Sequence, residues 1–302
     1  MHHIILLYYK YTFIDQPNQF MREHKALCNR LHLKGRVLIS RDGVNGTVSG
    51  TKEATDEYMA TVKTFPGFED VEFKIGASDQ PAFPKMSIKV RAEIITLKAA
   101  EPIDIKNAAP YIEADEMYQV LKEMPEDTVI IDARNEYESR IGKFKNALTF
   151  AIENFRDIPE KVLPELEKYK DKKIITYCTG GVRCEPFSAL LRQKGYDVRQ
   201  LHGGIIKYAE KHSEFGFDGH CYVFDNRVSV KVNDNIFSTC EFCDTKTARY
   251  INCKNNACHR QLVCCEHCDH MNKGYCLDES MLNKLKKFFT NFLRSHESST
   301  SR

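Results

Sequence analysis

The pattern of apolar and polar positions predicts alternating strands and helices over residues 1–97. The runs HIILLYYKY, VEFKI and SIKVRAEIITL are rich in β-branched and aromatic residues, which is typical of strands. QFMREHKALCNRLHL spaces Phe20, Leu27 and Leu31 at helical intervals, and TKEATDEYMATVKTF begins with a threonine suited to an N-cap. RVLIS and GTVSG flank RDGVNG, which has the composition of a turn. The resulting order, β-α-β-β-α-β, predicts a ferredoxin-like α+β domain.

A second alternating pattern follows residues 98–111, which carry two prolines and predict a linker. TVIIDA, KIITYC and DVRQL are short apolar runs that indicate buried strands, and EADEMYQVLKEM and EPFSALLRQKGY have helical spacing. Strands that alternate with helices predict a parallel α/β domain over residues 112–215. The active site of such a sheet lies at the carboxyl ends of its strands, where Asp132, Cys178 and the pair Gly203-Gly204 fall.

Residues 216–279 are distinguished by their cysteines. The chain has 12 cysteines, and eight of them fall between positions 240 and 276. Paired C-x2-C knuckles suit tetrahedral zinc, and eight thiols can fill two structural sites of four cysteines each. His259, His267 and His270 are possible substitutes, and an iron–sulfur cluster or a set of reduced or oxidised thiols are the alternatives. The candidate ligands are Cys240, Cys243, Cys253, Cys258, Cys264, Cys265, Cys268 and Cys276.

Residues 280–302 contain the last predicted element. MLNKLKKFFTNFLR places Met281, Leu285 and Phe292 on an apolar face with lysines opposite, which predicts a helix docked on the protein. Binding to a membrane surface is the alternative. The final SHESSTSR predicts a polar, disordered tail.

Composition limits the compartment and the partners. The chain of 302 residues has a formal net charge of +2, so nucleic acid binding cannot be inferred from its overall charge. The opening MHHIILLYYKY lacks the basic segment and cleavage site of a signal peptide, and no run approaches the ~20 apolar residues of a membrane span. We therefore expect a cytoplasmic protein without a membrane partner, whose cysteines serve metal binding or catalysis rather than disulfides. The sequence indicates no protein partner.

The segment CTGGVRC, residues 178–184, is the strongest candidate for chemistry. Cys178 follows the apolar run KIITY, and the helical pattern begins just after Cys184. A loop between a strand and a helix N-terminus directs backbone N–H groups and the positive end of the helix dipole to one point. Gly180 and Gly181 permit the backbone angles that such a loop needs. A thiolate at Cys178 is stabilised there, so we expect its pKa to fall below the usual value of about 8.5.

Arg183 favours a reactive Cys178 over a buried structural cysteine, because its guanidinium adds positive charge to the loop. Protein tyrosine phosphatases also place a cysteine and an arginine around an anion cradle, but with five residues between them. Here only four intervene, and the contracted ring of N–H donors suits a terminal sulfur better than a phosphate. Cys184 is either a resolving thiol for Cys178 or a cysteine packed inward at the start of a helix. The intervening loop residues are Thr179, Gly180, Gly181 and Val182.

The middle region resembles the rhodanese domain. DARNEYESRIGKFKNA, residues 132–147, is similar to its D-x-R-x-x-x-E-[FY]-x-x-G-H-I-x-G-A motif, CTGGVR to its active-site loop and QLHGGI to its closing glycine pair. Lys143-Phe144 depart from the usual His-Ile. LISRDGVNGTVSG, FPKMSIKVRAEIITL, GHCYVFDNRVSV and the distal cysteines extend the likeness. In this order they resemble the rhodanese-containing tRNA uridine hydroxylase family, to about residue 278.

The resemblance implies hydroxylation of the wobble uridine (position 34) of certain tRNAs to 5-hydroxyuridine, with molecular oxygen as co-substrate. It implies a tRNA anticodon stem-loop as partner. By analogy with rhodaneses, Cys178 carries a persulfide, Arg183 supplies fixed positive charge, and Asp132 and Arg134 organise the loop from behind. No flavin or nicotinamide motif is found in the sequence. The alternatives are a rhodanese-type sulfurtransferase or persulfide carrier, and an RNA-binding module with an inactive rhodanese domain, which the intact Cys178 and Arg183 disfavour.

Basic residues of the first region are the expected tRNA contacts, although solvated surface lysines are the plainer interpretation of any one of them. Phosphate contacts make binding sensitive to salt, and Phe83 and Tyr8 are expected to offer stacking faces for bases. The basic residues are Lys34, Arg36, Arg41, Lys85, Lys89 and Arg91.

Overall fold

The computed structural model describes residues 3–255, 257–258 and 260–276. The chain divides into two compact units between residues 237 and 238. The first unit contains both predicted α/β regions, and the second contains the cysteine cluster. The predicted C-terminal helix and tail, residues 280–302, lie outside the described residues.

The first part of unit one is a five-stranded sheet with two helices. Its strands are β1 (His3–Tyr11), β2 (Lys34–Ser40), β3 (Gly43–Gly50), β4 (Phe73–Ser78) and β5 (Met86–Val90), and its helices are α1 (Pro17–Arg30) and α2 (Lys52–Val62). The strand order is β4-β1-β3-β2-β5. The first four strands have the order of a ferredoxin-like fold, so the predicted fold is confirmed, and β5 adds to the edge parallel to β2.

Alternation along the strands decides which face of this sheet the helices cover. Leu6 and Tyr8 of β1 and Val37 of β2 are buried in one core with Leu27 of α1 and Tyr58 of α2. Because side chains alternate between the two faces, the neighbours of the buried residues on each strand point to the opposite, helix-free face. This helix-free face is the one that approaches the CTGGVRC loop.

Two local predictions in this region are wrong. The turn after β2 contains only Arg41 and Asp42, because β3 already begins at Gly43. A Cβ at Gly43 would lie 2.0 Å from the Lys10 carbonyl oxygen, so a glycine lets β3 pair closely with β1 here. The run SIKVRAEIITL is not one strand, since β5 ends at Val90; Leu97 instead packs in a core of the following α/β region.

The second part of unit one is the predicted parallel α/β sheet, with strand order β6-β10-β9-β7. Its strands are β6 (Tyr111–Ile112), β7 (Thr128–Asp132), β9 (Lys173–Tyr177) and β10 (Asp197–Leu201). A separate three-stranded sheet is formed by β8 (Gly142–Phe144), β11 (Phe217–Tyr222) and β12 (Ser229–Lys231). The helices are α3 (Ala114–Glu123), α4 (Glu136–Ser139), α5 (Ile158–Lys161), α6 (Leu163–Leu166), α7 (Cys184–Gln193) and α8 (Gly204–His212), with 3-10 turns at Ile105–Asn107, Phe155–Asp157 and Glu167–Tyr169.

The central position of β9 places Cys178 at the middle of the sheet. β9 pairs in parallel with β10 on one side and with β7 on the other. Ile174 and Ile175 are both buried, but in different cores, so the strand is covered on both faces. Cys178 follows directly at its carboxyl end, as the sequence pattern predicts.

Unit two is a small cysteine-rich fold. Its described elements are the antiparallel strands β13 (Tyr250–Asn252) and β14 (Gln261–Val263) and the helix α9 (Glu266–Met271). Cysteines form most of its buried cluster, together with Leu262. Across the described part of the chain, no helix has both the length and the apolar character needed to cross a membrane.

Candidate active site

The loop after β9 wraps around the sulfur of Cys178. Cys178 is 1% exposed, and the Gly181 backbone N–H donates to its Sγ at 3.1 Å. Gly181 has φ +100, a value that glycine adopts without strain. The Cys184 N–H donates to the Gly181 carbonyl at 3.0 Å, which closes the loop onto α7.

The start of α8 binds two carbonyl groups of the loop. The Ile205 and Ile206 N–H groups donate to the carbonyls of Cys178 and Thr179 at 3.0 and 3.1 Å. A Cβ at Gly204 would lie 2.4 Å from the Cys178 carbonyl oxygen. Gly204, the second glycine of the pair noted in the sequence, is therefore required by this close approach.

The environment of Cys178 stabilises its thiolate. Burial acts to raise the pKa, but the Cys184 thiol, the Arg183 charge and the loop N–H groups act more strongly and hold it well below the ordinary value. Cys184 is fully buried, and burial together with the neighbouring Cys178 raises its pKa well above the ordinary value. These opposite pKa shifts favour a thiolate at Cys178 beside a protonated Cys184.

Arg183 is fixed by Glu138, a residue whose role the sequence analysis missed. Glu138 Oε2 and Oε1 accept from Arg183 Nη1 and Nη2 at 2.5 and 2.7 Å, and both side chains are buried. The same carboxylate accepts from the Asn135 N–H at 3.1 Å and from the Thr179 hydroxyl at 3.4 Å. Glu138 lies in the stretch DARNEYES that carries the rhodanese resemblance, so its position in that motif was the available signal.

Asp132 and Arg134 form a second buried ion pair below the loop. Arg134 Nη2 donates to Asp132 Oδ2 at 2.6 Å and to the Gly142 carbonyl at 2.6 Å. The Tyr177 hydroxyl, one residue before Cys178, donates to Asp132 Oδ2 at 2.7 Å. The pair therefore contacts β8 and the end of β9, which is where residues that support the loop from behind would lie.

The helix-free face of the first sheet covers the loop. The Tyr9 hydroxyl donates to Glu185 Oε1 at 3.0 Å, and the Tyr11 hydroxyl donates to the Val182 carbonyl at 3.3 Å. Glu185, in the first turn of α7, also accepts from Tyr111 at 2.6 Å. No local sequence pattern indicates these contacts, because they join residues more than 70 positions apart.

A cavity of about 270 Å³ lies between this sheet face and the loop. Cys178, Gly180 and Arg183 line it from one side, and Leu7, Leu38 and Asn45 line it from the other. Phe83, Phe155 and Phe224 add aromatic walls. The volume is close to the lower end of the range of small-molecule pockets, about 300–1,000 Å³.

The structure places the predicted RNA contacts unevenly. Arg36 is exposed and lines the cavity, and Phe83 is buried in its wall. Tyr8 is fully buried in the core with Tyr58 and His24, so the expectation that it offers a stacking face is wrong. Side-chain alternation explains this position, since Tyr8 points to the helix-covered face of β1.

The cysteines of unit two form two groups able to hold a metal ion. The first group comprises Cys240, Cys243, Cys265 and Cys268, and the second comprises the described residues Cys253, Cys258 and Cys276; within each group the Sγ atoms lie within 4.8 Å of one another. Zn–S bonds of about 2.3 Å give a tetrahedron with S–S edges of about 3.8 Å. The Sγ–Sγ distances of 3.6 Å for Cys243–Cys265 and 3.4 Å for Cys258–Cys276 fit that size.

Backbone N–H groups support these thiols as they do in metal knuckles. The N–H groups of Asn255 and Cys276 donate to Cys253 Sγ, and that of Cys268 donates to Cys265 Sγ, each at 3.4 Å. Cys264 lies outside both groups, and its thiol donates to the Cys265 carbonyl. His259 lies outside the described residues.

Three family models match successive parts of the chain. The UPF0176 acylphosphatase like domain matches residues 3–94, the rhodanese-like domain matches residues 114–211, and the model described as rhodanase C-terminal matches residues 218–280. Solved structures with likeness include a rhodanese-related protein from Thermoplasma volcanium, 24% identical with a TM-score of 0.29, over 34% of this chain and 93% of that one. A rhodanese-like domain protein from Staphylococcus aureus is 26% identical with a TM-score of 0.29, over 33% and 90%.

Curated relatives match over most of the chain. A tRNA uridine(34) hydroxylase of Bacillus licheniformis is 45% identical, over 91% of this chain and 87% of its own length. Proteins of the same name are 45% identical in Cytophaga hutchinsonii, over 94% and 91%, and 43% identical in Enterococcus faecalis, over 91% and 89%. Identity at this level across both units shows the family: the chain belongs to the tRNA uridine(34) hydroxylases.

Proposed function

We propose that this protein hydroxylates the wobble uridine of tRNA to 5-hydroxyuridine in the cytoplasm, with molecular oxygen as co-substrate. One observation carries the proposal: Cys178, whose sulfur accepts from a loop N–H group, lines a small cavity between the rhodanese loop and the first sheet. A thiolate in an enclosed, largely apolar cavity suits chemistry on a single base. The relatives that match nearly the whole chain carry the name of this reaction.

Cys178 is the reactive group of the proposed site. Its thiolate is the strongest nucleophile that faces the cavity, and the Gly181 N–H stabilises negative charge on the sulfur. Arg183, held by Glu138, adds a fixed positive charge beside it. Asp132 and Arg134 act as positioning residues, because their contacts fix Tyr177 and β8 rather than the cavity.

The anticodon stem-loop is the proposed partner, and its proposed docking surface is the part of the first sheet's helix-free face that β2 and β5 form. Lys34, Arg36 and Leu38 alternate on β2 with the core residues Val37 and Ile39, so they project from this face. Lys89 of β5 is directly opposite Leu38 and shares the face. This basic surface borders the cavity at Arg36, which allows phosphates to be held while one base enters.

Zinc is the proposed metal of unit two, in a structural role. The first group supplies four closely spaced thiols, which fill a tetrahedral site and leave no open position for catalysis, and the second supplies three among the described residues. The domain boundaries proposed from sequence are residues 1–97, 112–215 and 216–279, with a linker at 98–111. They divide the chain by function into an RNA-gripping domain, a rhodanese domain and a metal-binding region.

Mass spectrometry of tRNA nucleosides tests the reaction. A strain lacking the gene is complemented with the wild-type protein or with Cys178→Ser, in which a hydroxyl replaces the thiolate. We expect 5-hydroxyuridine to return with the wild type and not with Cys178→Ser. Normal modification with Cys178→Ser contradicts the proposed role of Cys178, and no modification with either protein contradicts the proposed reaction.

Sulfur transfer is the second candidate function. The rhodanese-like match and a thiolate in a loop of N–H donors favour a persulfide on Cys178. The same nucleoside analysis separates the two functions: loss of a thiolated nucleoside in the deletion strain, with 5-hydroxyuridine unchanged, supports the sulfurtransferase.

A further inference from the structure

Phe224 is an exposed aromatic ring at the edge of the Cys178 cavity. Its residue is 49% exposed, yet it lines the same cavity as Cys178 and Gly180. The Arg183 guanidinium carbon lies 5.6 Å from the centre of the Phe224 ring. The Tyr222 and Phe224 rings pack in an edge-to-face arrangement with their centroids 5.1 Å apart. The ring therefore offers a flat apolar surface within the reactive loop's own cavity.

The loop that carries Phe224 is firmly held. The Val223 N–H donates to the Val228 carbonyl at 2.9 Å, which closes the turn. Asp225 accepts from the Arg227 backbone N–H at 3.0 Å and from its guanidinium at 2.8 and 2.6 Å. These contacts fix the turn that carries the ring before any ligand arrives, which lowers the entropic cost of binding against it.

The same loop is also attached to the first sheet's side of the cavity. The Asn226 N–H donates to the Ala82 carbonyl at 2.9 Å, and Asn226 Nδ2 donates to the Pro81 carbonyl at 3.1 Å. The segment that accepts these bonds carries Phe83, another wall of the cavity. Phe224 is thus positioned by both sides of the cleft, and its exposed surface is the part that neither side covers.

We propose that the cavity holds one extruded pyrimidine base, which stacks on the ring of Phe224 while it lies beside Cys178. The inference rests on the proposed function, because it takes this base to be the uridine that is modified. Enzymes that modify a base must remove it from its stack, and aromatic side chains stabilise such a base by stacking. A cavity of about 270 Å³ has room for one base rather than for a run of nucleotides.

Photocrosslinking tests the position of the base. An anticodon stem-loop with 5-iodouridine at position 34 is bound to full-length Cys178→Ser protein, which does not consume it, and is irradiated. We expect peptide mass spectrometry to assign the crosslink to Phe224. A crosslink confined to other residues, or none when the protein is saturated, overturns the proposal.

A binding cycle tests the energy of the stack. Phe224→Ala is expected to weaken binding of the uridine-34 stem-loop roughly 5- to 150-fold, the loss for one base–aromatic stack, whereas Phe224→Tyr retains affinity within about twofold. Phe237→Ala is the control, because Phe237 is an exposed aromatic residue that does not line the cavity. We expect that control to bind as the wild type does.

An abasic residue at position 34 completes the cycle. If the base stacks on Phe224, removing the base weakens wild-type binding, and Phe224→Ala then causes no further loss. If the losses of binding free energy from Phe224→Ala and from removal of the base add in full, the proposal is overturned, since the ring and the base then act independently. Product analysis with the wild type separates this inference from the proposed function. If the wild type forms no 5-hydroxyuridine, the proposed function is wrong. If the wild type forms it and Phe224→Ala binds the stem-loop as well as the wild type does, only the proposed stacking is wrong.

Discussion

The neighbours of Cys178 outweigh its burial and lower the pKa of its thiol, and this shift can be measured. We expect the difference in ultraviolet thiolate absorbance between wild type and Cys178→Ser to titrate with a midpoint well below about 8.5. The thiolate is the form lost as pH falls, so hydroxylation should decline on the acid side around the same midpoint. Cys184→Ala is the informative companion, because it removes the thiol that donates to Cys178. This variant should raise the midpoint of the Cys178 titration. A wild-type midpoint near that of free cysteine contradicts the assignment of a lowered pKa to Cys178.

Glu138 compensates the buried charge of Arg183, so its removal should be costly. Glu138→Gln leaves a buried guanidinium without its carboxylate, and we expect the free energy of unfolding to fall by about 3 kcal/mol. Glu136→Gln on the same helix is the control, because Glu136 is half-exposed and its pair with Arg140 should contribute less than about 1 kcal/mol. Urea denaturation followed by circular dichroism measures both. Equal losses for the two variants contradict the role assigned to Glu138.

Single residues show what the sequence could and could not predict about the site. Cys178 and Arg183 were predictable because a strand end, two glycines and a helix start are local patterns. Glu138 stood in a quoted motif, but its partner Arg183 lies 45 positions away, and only the fold brings the two together. Phe224 stood in the quoted stretch GHCYVFDNRVSV, but its approach to the loop depends on β11 and on Asn226 bonding to another domain.

At the scale of an element, the active-site loop depends on the approach of β1. A Cβ at Gly180 would lie 3.0 Å from Leu7 Cδ2, and one at Gly181 would lie 2.8 Å from the Tyr9 hydroxyl oxygen. Gly181→Ala is also strained by its positive φ, whereas no such φ applies at Gly180. We expect Gly180→Ala to reduce hydroxylation moderately and Leu7→Ala to restore it in the double variant. Gly181→Ala should remain impaired in hydroxylation when it is combined with Tyr9→Phe. If Tyr9→Phe restores activity, the contact with the Tyr9 hydroxyl, rather than backbone strain, causes the defect of Gly181→Ala.

The cysteine groups of unit two give a prediction for the metal-binding elements. Protein prepared without chelators should contain between one and two equivalents of zinc, and Cys243→Ser should lower the content by about one. Cys264→Ser is the matched control, because Cys264 is buried in the same region but lies outside both groups. Chelation should unfold this region first, since metal binding and folding are coupled. If metal analysis finds no zinc, the proposed metal sites are wrong and the cysteines of unit two are free thiols.

Across the whole molecule, periodicity predicted the ferredoxin-like and parallel α/β regions but not their union into one compact unit. Their contacts, such as Tyr9 with Glu185, link side chains that no local pattern pairs. This union changes how RNA recognition is tested. Removing residues 1–97 would expose the loop and the surface that Leu7 covers. Loss of tRNA binding by the truncated chain would therefore not distinguish lost recognition from lost folding.

Substitutions on the helix-free face avoid that difficulty. Lys34, Arg36 and Lys89 are exposed there, and none of them has an ion pair within the described residues. Neutralising all three to glutamine should weaken binding of the anticodon stem-loop most at low salt. Each lost phosphate contact should reduce the slope of log affinity against log salt concentration by about 0.7, or about 2 for three contacts. Titrations at several salt concentrations measure the slope directly.

The helix-covered side supplies a control with the same change of charge. Arg22 and Lys25 are exposed on α1, and Lys63 is exposed just after α2. If overall charge alone attracts the RNA, neutralising these three to glutamine lowers affinity as much as neutralising the helix-free face does. If the phosphates lie on the helix-free face, the control keeps the wild-type slope. The proposed docking surface is contradicted if both triple variants lose affinity equally, or if the variant of the helix-free face keeps the wild-type slope. Counterions are released only where phosphates contact the protein, so the slope reports those contacts.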